Sequence, residues 1–273
     1  MPKLPSESFQ IIFADPPYNI NKADWDSFQS DDEYFNWMEN WITECHRILK
    51  KEGSMFIMGF PEILAGIFSL ILKPLFPNIR WLAWHYRNKP RLSQNDWVRS
   101  HETILHLRKS DDFVFNIDMI REPYNKHTNK YPERKQGSTS QFATKKNHLN
   151  AWSSTGKTGA KPRDIIDIPA LNNGMKENTS HPTQKPEALL RKLLLSSYKK
   201  NDLILDPFGG SGTTYIVSEQ LKNSYWLGIE KDEKYCNIIR TRLQSYLKDP
   251  KPLQYYLSLD LKREKHREKI RNG

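Results

Sequence analysis

A carboxylate, two prolines and an aromatic ring stand together near the start of the chain, as Asp15-Pro16-Pro17-Tyr18. They follow the apolar run 11–14, which predicts a loop at the carboxyl end of a buried strand. The Asp15 carboxylate and the Pro16 carbonyl oxygen can accept the two hydrogen atoms of an amino group, while the prolines stiffen the loop. The Tyr18 ring offers a face on which a base can stack. The loop is therefore suited to holding and orienting an amine.

A glycine-rich segment near the other end follows the apolar run 203–205 and reads Asp206-Pro207-Phe208-Gly209-Gly210-Ser211-Gly212-Thr213-Thr214. Glycine lets the backbone approach a ligand closely, although many turns use glycine for folding alone. The segment is not a Walker A motif, because no Lys-Ser/Thr pair follows its last glycine. Glu230 comes 24 positions after Asp206, near the spacing of about 20 residues at which a carboxylate binds ribose hydroxyls in such folds. A nucleoside cofactor is predicted.

A third segment, His181-Pro182-Thr183-Gln184-Lys185-Pro186, lies between these two motifs. With the three in this order, the chain resembles the beta group of S-adenosylmethionine-dependent DNA amino-methyltransferases over roughly residues 5–247. The resemblance implies that Asp15, Pro16, Pro17 and Tyr18 hold the flipped target base. It implies a cofactor site made of Asp206, Pro207, Phe208, Gly209, Gly210, Ser211, Gly212 and Thr213, of Glu230 for the ribose, and of Lys185 with Thr183 for the methionine carboxylate. Trp25-Asp26 resembles a supporting pair of the family.

The activity implied is direct transfer of a methyl group from S-adenosylmethionine to the N6 amine of adenine in double-stranded DNA, on a base turned out of the helix. Cytosine N4 is the alternative amine, although cytosine enzymes of the family more often have Ser where Asp15 stands. Transfer to carbon-5 of cytosine needs a cysteine nucleophile, usually after proline. Cys45 follows Glu44 and Cys236 follows Tyr235, so both are expected to be buried apolar residues.

Two other classes of function stay open. A methyltransferase acting on glutamine or RNA would usually have its motifs in the reverse order and Asn first in the loop. A catalytically weak DNA-binding relative would bind DNA without methyl transfer. Family members also usually begin further upstream, with a strand that flanks the cofactor adenine, so weak S-adenosylmethionine binding is expected. Gly210 stands where many relatives have a larger residue, and little consequence is expected.

Composition limits the partners. The net charge of +10 and the pI near 9.4 favour a polyanion such as DNA. The two cysteines cannot form a disulfide framework, and no Cys/His cluster has metal-ligand spacing. The start of the chain lacks a signal-peptide pattern, and the longest apolar stretch, 63–72, is too short to span a membrane. A cytoplasmic protein is predicted. A homodimer and a cognate restriction endonuclease are compatible with the resemblance and undecided by the sequence.

Hydrophobic periodicity predicts an α/β protein with a sheet and flanking helices. The resemblance implies that this is a Rossmann-like methyltransferase sheet with an inserted polar DNA-recognition lobe. Strands are expected at 11–14, 54–58, 79–84, 103–107, 203–205 and 225–229; helices at 31–52, 61–73, 186–198, 213–221 and 233–247. The alternation of strands and helices in the first third predicts a parallel sheet. The catalytic core is assigned to 1–115 and 181–247, the target-recognition region to 116–180, and a charged tail without assigned function to 248–273. Trp81 and Trp84 are expected in the core.

The inserted region is strongly basic. Residues 121–165 contain ten Lys/Arg against three Asp/Glu, with aromatic residues interleaved. One interpretation is a mobile, solvated insertion. The other is a lobe that lies on DNA phosphates and reads base edges. On the second interpretation the expected DNA contacts are Arg134, Lys135, Lys145 and Lys146.

Overall fold

The structure, a computed structural model, describes residues 1–88, 95–135, 151–153, 159–221 and 224–272. It divides into two compact units, Met1–Phe115 with Asp164–Gly273, and Asn116–Arg163. The first unit contains all three motifs. Within the described residues, no helix is long and apolar enough to cross a membrane.

The strands of the described residues are, in chain order, β1 Phe9–Ala14, β2 Leu49–Gly59, β3 Asn78–His85, β4 His101–Arg108, β5 Glu133–Lys135, β6 Ala151–Ser153, β7 Ile165–Asp167, β8 Leu203–Asp206 and β9 Tyr225–Gly228. Seven of them form one sheet in the order β7-β3-β4-β2-β1-β8-β9. In the second unit, β5 and β6 form an antiparallel pair. Both motif loops therefore leave adjacent strands, β1 and β8, at the same edge of the sheet.

The helices are α1 Asp31–Ile48, α2 Pro61–Ile67, α3 Lys73–Leu75, α4 Lys126–Lys130, α5 Glu187–Ser197, α6 Thr213–Gln220, α7 Glu233–Lys248 and α8 Leu253–Asn272. Helix α1 begins after Ser30, whose side chain accepts a hydrogen bond from the N–H of Glu33, as an N-cap residue does. Its apolar face buries Met38, Ile42 and Cys45 against the sheet. All six residues of β1 are buried, so the strand that carries Asp15 is fixed from both faces.

The sheet is mixed, not parallel as predicted. β1 pairs in parallel with β2 and β8, and β8 with β9, but β4 is antiparallel to both β2 and β3. The alternation of strands and helices breaks down here, because β3 and β4 are consecutive and the chain reverses between them. As a result, the start of β4 lies at the same edge of the sheet as the end of β2.

Three local expectations were also wrong. Helix α1 ends at Ile48 and β2 begins at Leu49, because Leu49 is already extended. The second helix does not end before Pro74, since a π-helical turn, Phe68–Leu72, leads into α3, where the proline occupies a first-turn position that needs no N–H donor. Trp81 is 38% exposed, whereas Trp84 is buried.

Two segments that the sequence set apart from the catalytic core, 164–180 and 248–273, belong to the compact unit of the large sheet. Residues 164–180 belong to the compact unit of the large sheet, where β7 pairs with β3, so the second unit ends well before residue 180. Residues 253–272 form helix α8, and its Asp260 carboxylate lies 2.7 Å from the buried Arg191 guanidinium of α5.

Of the two cysteines, Cys45 is buried and Cys236 only partly so.

Candidate active site

The Asp15 carboxylate is held by one donor on each oxygen. The hydroxyl of Tyr18 donates to Oδ1 at 2.8 Å, and Nζ of Lys185 lies 2.8 Å from Oδ2. The Tyr18 ring packs edge-on against Phe60, with centroids 5.0 Å apart. Burial, with the Asp15 and Glu102 carboxylates, raises the pKa of Tyr18 well above its usual value, so its hydroxyl stays protonated.

The backbone after Tyr18 is wound around the Asp26 carboxylate. Its Oδ1 accepts the N–H groups of Tyr18 at 2.6 Å and Asn19 at 2.7 Å. Its Oδ2 accepts those of Ile20 at 3.3 Å and Lys22 at 3.0 Å. The supporting pair Trp25-Asp26 thus has a definite role at Asp26, which fixes the shape of the loop.

Glu102, at the start of β4, completes the Asp15 cluster and was not predicted from the sequence. Its Oε2 lies 3.1 Å from the Tyr18 hydroxyl and 3.6 Å from Lys185 Nζ. The one sequence signal is an acidic residue near the start of a strand, 101–108, with a short apolar centre, which is too common a pattern to identify a site.

Lys185 lies beside Asp15, although its expected partner was the cofactor carboxylate. Its ammonium group has three acceptors nearby, the two carboxylates and the carbonyl oxygen of Thr183 at 3.3 Å. The side chain is buried. Burial alone would lower the pKa of Lys185, but Asp15 and Glu102 raise it above its ordinary value, so the group stays charged. The cofactor role of Lys185 and Thr183 remains a prediction.

The glycine-rich loop is anchored on the buried Asp206. Its Oδ1 accepts the N–H of Phe208 at 2.9 Å and its Oδ2 the hydroxyl of Thr214 at 2.5 Å. Burial raises the pKa of Asp206 to about 7, against these two hydrogen bonds that favour the charged form. Phe208 packs against Trp37 and Trp41 of α1, which ties the loop to the helix that follows the first motif.

Two glycines of this loop are required by its geometry. A Cβ atom on Gly209 would lie 2.3 Å from the Tyr215 hydroxyl. Gly210 has φ +50°, and a Cβ there would lie 3.1 Å from His181 Nε2. A larger residue at position 210 of this backbone would be strained and would crowd His181. The expectation that Gly210 itself has little consequence stays a prediction.

Glu230 lies just after the next strand, β9, and binds the glycine-rich loop. Its Oε2 accepts the N–H of Gly210 at 2.7 Å and its Oε1 that of Asp232 at 2.8 Å. Each oxygen retains a lone pair for a further donor. At the other end of the loop, the Thr213 hydroxyl donates to the Lys185 carbonyl at 3.1 Å, so the cofactor motif and the Lys185 segment are directly joined.

A single cavity of about 670 Å³ unites the two motifs. Predicted residues on its wall are Asp15, Pro17, Thr183, Lys185, Asp206, Pro207, Phe208, Gly209, Gly210, Ser211, Thr213 and Glu230. Pro16, Tyr18 and Gly212 do not line it; Tyr18 reaches the site through its hydroxyl, and Gly212, φ +76°, turns the chain into α6. Three aromatic rings also line the wall: Trp25 stacks on His181, and Tyr235 packs against His181 at a tilt. Tyr235 was not predicted.

The residues present suit S-adenosylmethionine. The cavity is large enough for a nucleoside with an amino-acid chain. The glycines of the loop allow a ligand to approach the backbone closely, and Glu230 offers acceptors for ribose hydroxyls. Within the described residues, no group of three or more His, Cys, Asp or Glu side chains could hold a metal ion.

The predicted DNA contacts lie elsewhere in the chain. Lys145 and Lys146 fall outside the described residues. Arg134 and Lys135 are on β5 of the second unit, and the structure describes their backbone only.

Comparison with known proteins gives a consistent result. The family model described as DNA methylase, for N6 and N4 methyltransferases, matches residues 9–241. The chain is 34% identical over 246 residues to the DNA adenine methyltransferase YhdJ of Escherichia coli strain K12, covering 88% of this chain and 78% of that protein. It is 32% identical over 281 residues to the Type II methyltransferase M.HinfI of Haemophilus influenzae, covering 95% and 69%.

Solved structures show the same fold. The PvuII DNA methyltransferase, named as cytosine-N4-specific, aligns with a TM-score of 0.63 at 14% identity, over 95% of this chain and 86% of that one. An M1.HpyAVI complex with S-adenosylmethionine aligns with a TM-score of 0.54 at 23% identity, over 86% and 89%. The predictions of a Rossmann-like methyltransferase fold and of S-adenosylmethionine as cofactor are confirmed. This chain belongs to the N6/N4 DNA methylase family.

Proposed function

We propose that the chain methylates the exocyclic N6 amine of adenine in double-stranded DNA. One observation carries the proposal: Asp15 lines the same cavity as the cofactor residues Asp206 and Glu230. An amine acceptor and a nucleoside site on one wall are what direct methyl transfer to an amino group requires.

The roles of the first motif follow from hydrogen-bonding capacity. Asp15 accepts one hydrogen of the amine and the Pro16 carbonyl oxygen accepts the other. Within the described residues no hydrogen bond reaches the Pro16 carbonyl, whereas the Pro17 carbonyl accepts the Tyr34 hydroxyl at 2.9 Å. Stacking of the Tyr18 ring on the flipped base stays a prediction, since the ring is fixed by Phe60 and does not line the cavity.

The cofactor, when bound, supplies the methyl group as an electrophile. The two acceptors orient the amine so that its lone pair is available for attack, and they stabilise the positive charge that develops on nitrogen. The amine then loses one proton, which the Asp15 carboxylate can accept because the amine donates a hydrogen bond to it. Asp206, Glu230 and the loop glycines hold the cofactor.

Two observations favour adenine. An aspartate opens the first motif, and the similar protein YhdJ is named as a DNA adenine methyltransferase. The structure named as cytosine-N4-specific shares the fold but only 14% of its sequence. Cytosine N4 is the other outcome of the same chemistry.

We assign DNA contacts to the basic inserted region, including Arg134, Lys135, Lys145 and Lys146, on the strength of its charge. A cognate restriction endonuclease is part of the proposal, since M.HinfI is named as a Type II methyltransferase. Dimerisation and a cytoplasmic location also remain proposals.

The test is transfer of a labelled methyl group from S-adenosylmethionine to duplex DNA, followed by mass analysis of the nucleosides. N6-methyladenine is the expected product, and Asp15→Ala should abolish it while still binding the cofactor. N4-methylcytosine would overturn the base assignment and keep the mechanism. Absence of any methylated base would overturn the proposed function.

A further inference from the structure

Glu102 contributes a second carboxylate to the Asp15 cluster, and the mechanism above gives it no task. It reaches the cluster from β4, and its Oε1 also accepts the Tyr86 hydroxyl at 3.4 Å. The side chain is only 14% exposed. This partly buried carboxylate contacts Tyr18, Tyr86 and Lys185 beside the reacting amine, so it is a candidate for a task in the reaction.

The Tyr18 hydroxyl has one hydrogen and two carboxylate acceptors. Asp15 Oδ1 lies at 2.8 Å and Glu102 Oε2 at 3.1 Å. A hydroxyl can donate to only one acceptor at a time, and rotation about its C–O bond moves the hydrogen from one to the other. Tyr18 can therefore pair with either carboxylate without moving its ring.

Each oxygen of Asp15 already has one donor before any substrate arrives. Tyr18 occupies Oδ1 and Lys185 occupies Oδ2. Each oxygen keeps a second lone pair, so an amine that donates to Oδ1 shares that oxygen with the Tyr18 hydroxyl and crowds it. Lys185 is held in place by Asp15, Glu102 and the Thr183 carbonyl together, so Tyr18 is the donor that can yield.

We propose that Glu102 is a positioning residue that takes over the Tyr18 hydrogen bond when the target amine donates to Asp15 Oδ1. The exchange replaces one donor on Asp15 by another and leaves no buried hydroxyl unpaired. No proton leaves Tyr18, since only its hydroxyl hydrogen rotates. This inference rests on the proposed function, because it requires an amine that donates to Asp15.

The experiment is a double-mutant cycle between Glu102→Ala and Tyr18→Phe, measured as kcat and KM on duplex DNA. Glu102→Ala should lower kcat about 10- to 100-fold, the loss expected for one buried hydrogen bond to a charged group. KM for S-adenosylmethionine should stay within about threefold of wild type, because the cofactor loop is untouched. In Tyr18→Phe no hydroxyl needs a second acceptor, so adding Glu102→Ala should lower kcat by no more than about threefold.

Matched variants separate this role from a structural one. Glu102→Gln keeps an acceptor oxygen and should recover kcat to within about fivefold of wild type. Tyr86→Phe removes the other hydroxyl on Glu102, one that has no link to Asp15, and should change kcat less than about threefold. If Glu102→Ala fails to fold by circular dichroism, Glu102→Met, of similar volume, takes its place in the cycle.

Two results would overturn the inference in an enzyme whose wild type methylates DNA. One is a folded Glu102→Ala or Glu102→Met protein with wild-type kcat. The other is a loss of the same size with and without the Tyr18 hydroxyl, which would make Glu102 independent of Tyr18. Failure of the wild type to methylate DNA would instead count against the proposed function.

Discussion

The carboxylate of Asp26 accepts a hydrogen bond from the backbone N–H of Tyr18, with 2.6 Å between oxygen and nitrogen. Three more N–H groups of residues 19–22 donate to the same carboxylate. Asn19 and Asn21 have φ of 56° and 55°, so the turn folds into a concave nest of N–H groups around one anion. Asp26 is 1% exposed. The loop that carries Tyr18 is thus shaped by a side chain eight positions further on.

Asp26→Ala should loosen this loop, because four backbone N–H groups lose their acceptor. We expect about 3 kcal/mol less free energy of unfolding and a kcat at least about tenfold lower, since Tyr18 and Asp15 lose their placement. Thermal denaturation and methyl transfer measure the two effects. Asp26→Asn, which keeps one oxygen, should lose less. Asp112→Asn, at an exposed aspartate far along the chain, is the control. An Asp26→Ala protein with wild-type melting temperature and kcat would contradict this role.

The two motif loops could be predicted because each is a short local pattern at the end of an apolar strand. Asp15 follows β1 and Asp206 ends β8, and adjacent parallel strands bring their loops together. Glu102 could not be predicted, because it is 84 positions from Tyr18 and approaches it only through the pairing of β4 with β2. That pairing is antiparallel, and strand–helix alternation gave no sign of the reversal.

The same limit applies to Lys185. A lysine in its motif predicts an anion partner, but not which of several anions. The fold places Asp15 and Glu102 next to its ammonium group, and only tertiary structure determines that choice.

Lys185→Met should affect turnover more than cofactor binding. Its ammonium group has three N–H donors and three acceptors of the protein itself, Asp15, Glu102 and the Thr183 carbonyl. We expect kcat to fall about 10- to 100-fold and the Kd for S-adenosylmethionine to change less than about threefold. Isothermal titration calorimetry gives the Kd, and Lys200→Met, at an exposed lysine, is the control. A Kd increase of tenfold or more would restore the expected contact with the methionine carboxylate.

The basic inserted region should contribute salt-dependent affinity for DNA. Replacing Lys145 and Lys146 by alanine removes two positive charges and, if both contact phosphates, lowers the slope of log K against log salt by about 2. Affinity should fall equally on cognate and unrelated duplexes, since phosphate contacts carry no sequence information. Fluorescence anisotropy at several salt concentrations measures this. An unchanged slope would remove both lysines from the interface.

His181 should make stability depend on pH. Burial, helped by the positive charges of Lys185 and Arg242, lowers the pKa of His181 from 6.5 to about 4. Between these two values the unfolded chain binds a proton that the folded protein does not, so stability rises as pH increases from about 4 to 6.5 and is constant above. Asp206, with its pKa raised to about 7, acts in the opposite direction, since its folded form binds the extra proton.

The two effects separate in a comparison of wild type with His181→Asn, because Asp206 is common to both proteins. The difference in melting temperature, wild type minus variant, should grow with pH between 5 and 6.5, by on the order of 2–5 °C, and then level off. His266→Asn, on the exposed surface of α8, should show no such trend. A difference independent of pH would contradict the burial of a neutral imidazole at position 181.

Helix α8 should stabilise the unit that contains the site without taking part in the reaction. Arg191 of α5 is 3% exposed, and its Nε lies 2.7 Å from Asp260 Oδ2, with Nη2 3.4 Å from Oδ1. Asp260→Ala removes the main anionic partner of a buried guanidinium, which is strongly destabilising even though the intact pair contributes little net stability.

We expect Asp260→Ala to lower the free energy of unfolding by about 3 kcal/mol, while kcat below the melting transition stays at the wild-type value. Gln220 and Glu187 still approach the guanidinium, and they limit the loss. The control is Asp249→Ala, which breaks the exposed pair with Lys251 and should have little or no effect on the melting temperature. Equal effects of Asp260→Ala and Asp249→Ala would show that α8 is not held through Arg191. A lower kcat in a folded Asp260→Ala protein would instead connect α8 to the active site, because α5 begins directly after the segment that carries Lys185.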